Sequence, residues 1–242
     1  VVICVILIIG LGVYLGISAQ TWRKIAKEMI INENSIVLDS DGNEIAKLGC
    51  GRKNQKVTIS NVPDNLKNAY VAIEDQRFYS HSGVDIKRTG GAILSYIRHL
   101  GKSSFGGSTI TQQLVKNLTG NSSDKITRKV GEWWKAWLLE TELSKDEILE
   151  AYFNIIYVGP NMYGVETASQ YYFSKTSSEL TLEECAFLAG INNAPKAYNP
   201  FGEKDNTEKI TKRTKTVLDK MLELNYINED SYNAAISNVD KG

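Results

Sequence analysis

The chain has 242 residues, of which 42% are hydrophobic and 23% charged, and its 28 Lys and Arg balance its 28 Asp and Glu. That length suits one substantial core with short appendages and argues against two large domains. A neutral balance provides no net field for a polyanion, so nucleic-acid binding is not expected and any anionic ligand must be met by locally clustered cations.

In chain order, Val1 to Ala19 carries no charged residue, and Trp22, Arg23, Lys24 and Lys27 follow it. About 20 apolar residues cross the hydrocarbon layer of a membrane as a helix, so residues 1–21 are expected to be a transmembrane anchor. A cleaved secretory signal is the competing reading, but its core would run only about 7–15 residues, and the Ser18-Ala19 ending is a weak cleavage site. Residues 22–56 form a linker in which Ser35 to Asp39 and Glu44 to Leu48 flank a Ser40-Asp41-Gly42-Asn43 turn, the pattern of a short β-hairpin. From residue 57 to 242 the pattern is mainly helical.

Pro63-Asp64 opens a helix with Leu66, Tyr70 and Ile73 on one face, leading to Glu74-Asp75. Val84 to Leu100 is mildly apolar but interrupted by Lys87, Arg88 and Arg98, so it reads as a core helix or an interfacial segment touching lipid. Ser144 to Glu147 and Thr181 to Glu184 are capping boxes that open two further helices, and Ile210, Thr214, Val217, Leu218 and Met221 trace another that stops near Asn225. Two segments, Ser103 to Gly107 and Gly159 to Gly164, are richer in glycine than packing requires and read as loops bordering a site. Three cysteines, Cys4, Cys50 and Cys185, with no Cys-x-x-Cys pair and only two histidines, do not make a structural zinc site. They are expected to be unpaired core or lipid-facing thiols; a Cys50–Cys185 disulfide has no support in the sequence.

Three polar constellations stand out. The run Gly106 to Asn117 feeds a double glycine into a helix with Ile110, Leu114 and Leu118 on one side and Thr109, Gln112, Gln113 and Lys116 on another. That second stripe is either a solvated face or a cleft lining able to hold sugar and phosphate. On the next helix Arg128, Glu132 and Lys135 share a side, where Arg128 and Glu132 could be an ordinary i, i+4 ion pair. Glu74-Asp75, followed by Arg77, Phe78, His81 and Gly83, could be no more than solvated acids at a helix end. Together the three supply a proton-handling carboxylate, a second acid, and cations. Two carboxylates alone suit glycoside hydrolysis. The added Lys116, Arg128 and Lys129 suit transfer from an activated sugar with an anionic leaving group.

These segments resemble the family 51 peptidoglycan glycosyltransferases. Glu74-Asp-Gln-Arg-Phe-Tyr-Ser-His-Ser-Gly83 is similar to the first family motif, Gly106 to Asn117 to the second and Arg128-Lys-Val-Gly-Glu132 to the third. Lys145 to Asn154 with Gly159 and Gly164 is similar to the fourth, and Leu188 to Pro200 with Arg213 to the last. The resemblance implies a mainly α fold with a lysozyme-like helical lobe and a smaller membrane-associated jaw lobe. It implies polymerisation of lipid II into β-1,4-linked glycan strands with inversion and loss of lipid pyrophosphate. Glu74 would deprotonate the acceptor 4-hydroxyl. Lys116 and Arg128 would offset the leaving charge, and Glu132 would place those cations or help hold a divalent ion, Mg or Mn, at the diphosphate. Asp75, Ser108, Thr109, Thr111, Gln112, Gln113 and Lys129 would contact sugar or phosphate, directly or through a neighbour.

The sequence departs from the family pattern at three places: Asp124 stands where Arg is common, with Lys125 as the substitute phosphate contact, Gly91 also stands where Arg is common, and Ser174 replaces a Gly. The resemblance also implies a single-pass bacterial membrane protein with an extracytoplasmic catalytic domain, and partners in cell-wall synthesis or division besides its lipid-linked substrates. The Asp-Gly hairpin resembles the bifunctional members, so the segment is expected to belong to a longer protein. These residues are not expected to support transpeptidation. A lysozyme-like hydrolase, a lytic transglycosylase and a catalytically silent membrane scaffold are the alternatives.

Overall fold

The computed structural model describes residues 16–27, 35–38, 44–48, 53–98, 107–120, 126–159, 162–202 and 205–241, with backbone alone at 35–38, 44–48, 53–54, 92–97 and 126–127. The fold is mainly helical, as expected. Residues 16–27 form α1; Asp64–Glu74 α2; Ile86–Arg98 α3; Ile110–Thr119 α4; Ile126–Glu140 α5; and Lys145–Ile155 α6. Val165–Phe173 forms α7, Leu182–Ile191 α8, Thr207–Glu223 α9 and Glu229–Lys241 α10.

The centre is built from α2 and α8, which pack on each other and on α9. In α8, Cys185, Ala186, Leu188, Ala189, Gly190 and Ile191 are all buried, so this helix is apolar around most of its circumference rather than along one stripe. α2 buries Leu66, Ala69, Tyr70, Val71 and Ala72. Its last turn is therefore held rigidly, and Glu74 ends it. α4 packs on α5 and α6 and brings Ile110, Leu114, Val115 and Leu118 to the same core.

Local signals in the sequence explain several boundaries. At α6, Ser144 Oγ accepts from Glu147 N, and the Glu147 carboxylate receives the Ser144 N–H at 2.8 Å, closing the predicted capping box. At α8, Glu184 accepts from Thr181 N at 2.8 Å. α9 buries Thr214, Val217, Leu218 and Met221, and Asn225 just beyond it takes a left-handed φ of 57°, the stop expected there. Cys185 is buried and unpaired, and burial pushes its thiol up to about 12. Cys4 and Cys50 lie outside the described residues.

The predicted hairpin strands are β1 (Ser35–Leu38) and β2 (Glu44–Leu48), paired antiparallel with a register irregularity at Val37/Leu38. A second, three-stranded sheet was not expected. It has the order β3-β5-β4, where β3 (Lys53–Asn54) runs parallel to β5 (Met162–Tyr163) and β4 (Tyr157–Gly159) antiparallel to it. The glycine-rich segment Gly159 to Gly164 is thus a strand connection as well as a loop. Gly164 has φ 86° at the start of α7, a conformation that suits glycine. The boundary expected near residue 57 is tied to the later helices: Gln55 N donates to Thr167, Val57 exchanges hydrogen bonds with the Asn154 amide, and Ile59 N donates to Glu150 at 2.7 Å.

Most of the predicted anchor lies outside the described residues, and among the described residues no helix is long and apolar enough to cross a membrane. α1 runs from the last residues of that segment into the linker, and its linker part docks at α5 and the turn after it. Ala26 and Trp22 are buried, Trp22 Nε1 donates to Lys135 O at 3.3 Å, and Glu142 pairs with both Arg23 and Lys27 at 3.1 Å.

Candidate active site

Glu74 ends α2 half-buried, with both carboxylate oxygens occupied by amide donors. Gln113 Nε2, from α4, donates to Oε2 at 2.8 Å; Asn192 Nδ2, just past α8, donates to Oε1 at 3.1 Å. Those two amides are themselves oriented by Tyr152 of α6. Its hydroxyl donates to Gln113 Oε1 at 3.0 Å and accepts from Asn192 Nδ2 at 2.9 Å. Burial first, and then the nearby Glu74 carboxylate, raise the Tyr152 phenol well above its ordinary range, so it remains a donor.

Asp75 is fully buried, and its role here is to hold the backbone on which Glu74 sits. Its carboxylate accepts from Ile110 N at 3.0 Å, at the start of α4, and meets His81 Nε2 at 3.0 Å. The charged acceptor therefore sits at the positive end of α4, where unsatisfied N–H groups gather. The chain between Asp75 and α3 is braced further by Arg77, whose Nε donates to Asp85 at 2.8 Å. Arg88 reaches back to donate to Glu74 O at 2.5 Å. Asp85 also accepts from Arg88 N; burial pushes its carboxyl up, but this backbone bond and the Arg77 guanidinium prevail and hold it below the usual aspartate value.

Gly83 fixes the height of this loop. Its φ is +82°, and a Cβ there would meet Ala136 C and O of α5 at 2.6 Å. Gly83 O receives Thr109 Oγ1 at 2.7 Å, while Thr109 caps α4 by accepting from Gln112 N. Beneath the loop, Lys145 donates to Glu140 at 2.7 Å and to His81 O at 2.7 Å, and its ammonium lies 4.4 Å from the centre of the Phe78 ring. Thr111 donates to Glu140 at 2.5 Å.

The polar stripe predicted on α4 is therefore divided by depth. Thr109 and Gln112 are buried and hold the scaffold, as does Thr111 beside them; Gln113 reaches Glu74; Lys116 is exposed. Periodicity aligns residues in angle, but it cannot distinguish a face turned to another helix from one turned to a cleft. On α5, Glu132 is buried and pairs with both Arg128 and Lys129, and Lys129 also donates to Ser108 Oγ at 2.7 Å. The third motif is thus a carboxylate gripping two cations and tied to the segment that precedes α4. Lys125 lies outside the described residues.

Glu132 was expected to position the cations or to help hold a divalent ion. Its oxygens face Arg128 and Lys129, and among the described residues no three His, Cys, Asp or Glu side chains gather to hold a metal. With both oxygens engaged by cations, this arrangement fits the positioning role.

Sequence reading missed the part played by Tyr152 and Asn192. Both lie in segments similar to the fourth and last family motifs, but neither was singled out there, and nothing in the spacing of Asn192 links it to a residue 118 positions earlier. Glu140 carried no signal of its own either.

A transglycosylase family profile matches residues 41–222, a span that includes every polar constellation described above. The chain belongs to the transglycosylase family. Among curated proteins, it is 46% identical over 217 residues to penicillin-binding protein 1A of Clostridium botulinum strain Langeland, covering 88% of this chain and 26% of that one. Identity to penicillin-binding protein 1A of Clostridium perfringens strain 13 is 42% over 245 residues, covering 98% of this chain and 36% of that one. Penicillin-binding protein 1A/1B of Bacillus subtilis strain 168 is 43% identical over 203 residues, covering 84% and 22%. The chain thus spans about a quarter to a third of the length of these relatives. A crystal structure of penicillin-binding protein 1A from Haemophilus influenzae aligns with a TM-score of 0.46 at 24% identity, covering 85% of this chain and 21% of that one.

Proposed function

We propose that the chain is a peptidoglycan glycosyltransferase module that polymerises lipid II, with Glu74 as the general base. The observation that carries this reading is the state of the Glu74 carboxylate. Each oxygen accepts one amide N–H, so the carboxylate is held in place while lone pairs remain to take a proton.

In the proposed reaction the acceptor 4-hydroxyl loses its proton to Glu74 as its oxygen attacks the anomeric carbon of the growing strand. The bond from that carbon to the lipid pyrophosphate breaks on the opposite face, inverting the centre to a β-1,4 link. Arg128 and Lys129, aligned by Glu132, and the exposed Lys116 offset the negative charge gathering on the departing pyrophosphate. Pre-aligned cations need no reorientation as that charge develops. Gln113 and Asn192 hold the base, while Asp75, Thr109, Thr111 and Gln112 keep the elements that carry it in place.

The same reading makes the catalytic part extracytoplasmic and the protein membrane-anchored, with a lysozyme-like lobe and a jaw resting on lipid. Exposed Ile86 at the start of α3 and exposed Val130 and Trp137 on α5 support a seat against the membrane surface. Incubation with radiolabelled lipid II in detergent tests the reaction. Long β-1,4 polymer is expected; shortened or anhydro sugar products would replace this reading with a hydrolytic or lytic one.

A further inference from the structure

We propose that Asn192 is a positioning residue for the base, and that with Tyr152 it dictates both where the Glu74 carboxylate points and that it works as a proton acceptor. This rests on the reading of Glu74 as the base.

The argument is one of donor counting. A primary amide nitrogen has two hydrogens, and Asn192 Nδ2 uses them on Glu74 Oε1 at 3.1 Å and on the Tyr152 hydroxyl oxygen at 2.9 Å. Tyr152 has one hydrogen, which goes to Gln113 Oε1 at 3.0 Å. With its oxygen so engaged, Gln113 must turn its NH2 toward Glu74, where Nε2 lies 2.8 Å from Oε2. The circuit of four side chains therefore has a single polarity, and both of its branches end on the carboxylate. Removing Asn192 deletes one branch and releases the phenol that orients the other.

Asn192 is also well supported. It continues the helical conformation at the end of α8, with φ −53° and ψ −36°, and Arg213 Nε donates to Gly190 O at 3.1 Å to fix that end. α8 in turn packs on α2, which carries Glu74. The base and its donor thus sit at adjoining ends of two core helices, and the third member, Tyr152, is fully buried. A site assembled on rigid elements holds its geometry more closely than one assembled on loops. The other charged or titratable groups around the base are Asp75 beside it, the Asp75-bound His81, the Arg88 guanidinium on the Glu74 carbonyl, exposed Lys116 on α4, and the buried phenols of Tyr70 and Tyr152. Among the described residues, Asn192 and Gln113 donate to the Glu74 carboxylate.

The test measures lipid II polymerisation by Asn192→Ala, Asn192→Asp and Tyr152→Phe against wild type, with Glu74→Gln alongside and thermal unfolding of each. Asn192→Ala is expected to lower kcat about tenfold or more while leaving KM within about twofold, because a hydrogen bond to a charged group is lost at the reacting carboxylate. Asn192→Asp has the same shape but replaces both donors by a like charge, so the acid limb of its kcat–pH profile should move to higher pH. Tyr152→Phe is expected to fall between wild type and Asn192→Ala, since it frees Gln113 but leaves Asn192 in place. A merely structural role would lower the unfolding midpoint without moving the pH limb. An unchanged limb in Asn192→Asp, or kcat within twofold of wild type in Asn192→Ala, overturns the proposal if Glu74→Gln is inactive. An active Glu74→Gln overturns the base assignment itself.

Discussion

Gly83→Ala is the substitution whose cost the structure allows to be worked out in most detail. The added Cβ would lie 2.6 Å from Ala136 C and O and 2.8 Å from Trp137 N, all backbone atoms of α5 that no rotamer change can move. Overpacking of this kind costs about 1–3 kcal/mol, and the left-handed backbone at φ +82° adds about 1–2 kcal/mol for a residue with a side chain. The sum, about 2–5 kcal/mol, is a large share of the roughly 5–15 kcal/mol that holds a domain folded. Gly120→Ala provides the internal control, since its φ is also positive at +62° but among the described residues nothing lies within 4 Å of the new Cβ. It should cost only the backbone part, about 1–2 kcal/mol.

Urea unfolding of the two variants measures both numbers. Gly83→Ala should also lose catalytic rate beyond what unfolding explains, because Gly83 O anchors Thr109 and hence the start of α4, which carries Gln113 to the base. Equal destabilisation of the two variants, or a Gly83→Ala cost below about 1 kcal/mol with full activity, would refute the claim that close contact with α5 sets the loop.

Three other predictions concern the polar framework. Asp85, held below the ordinary aspartate value of 3.8, contributes stability that is present above that value and lost as pH falls through its lower folded value. Asp85→Asn should therefore be less stable than wild type at neutral pH, with the gap closing in acid unfolding curves at that window. Glu132→Gln leaves Arg128 and Lys129 without their counter-charge, and turnover should drop at least about tenfold in a polymerisation assay with a stability change within about 2 kcal/mol. Glu140→Ala strands Lys145 and Thr111 beneath the loop, and should cost about 3–5 kcal/mol by thermal or urea unfolding.

The helices were legible where apolar spacing and caps agreed, as in α9 with its Val217, Leu218 and Met221 face and in α6 with its Ser144–Glu147 box. The small sheet was not, because β3 and β5 are two residues each and pair over a separation of about a hundred positions, too little pattern for periodicity to register. At the site, residue types were legible and depth was not. Gln112 and Gln113 are adjacent amides on one polar stripe, yet Gln112 is fully buried and Gln113 reaches the base. The support given by Tyr152 and Asn192 was hidden for a different reason: it depends on four helices converging, and neither residue is unusual in its own segment.

The measurement that tests the account most directly is the turnover of lipid II by wild type and by Glu74→Gln, which keeps the shape of the side chain and removes its ability to take a proton. The account predicts glycan polymer from wild type and a loss of at least about two orders of magnitude in the variant, the usual worth of a positioned general base. Polymerisation by Glu74→Gln at the wild-type rate would contradict it.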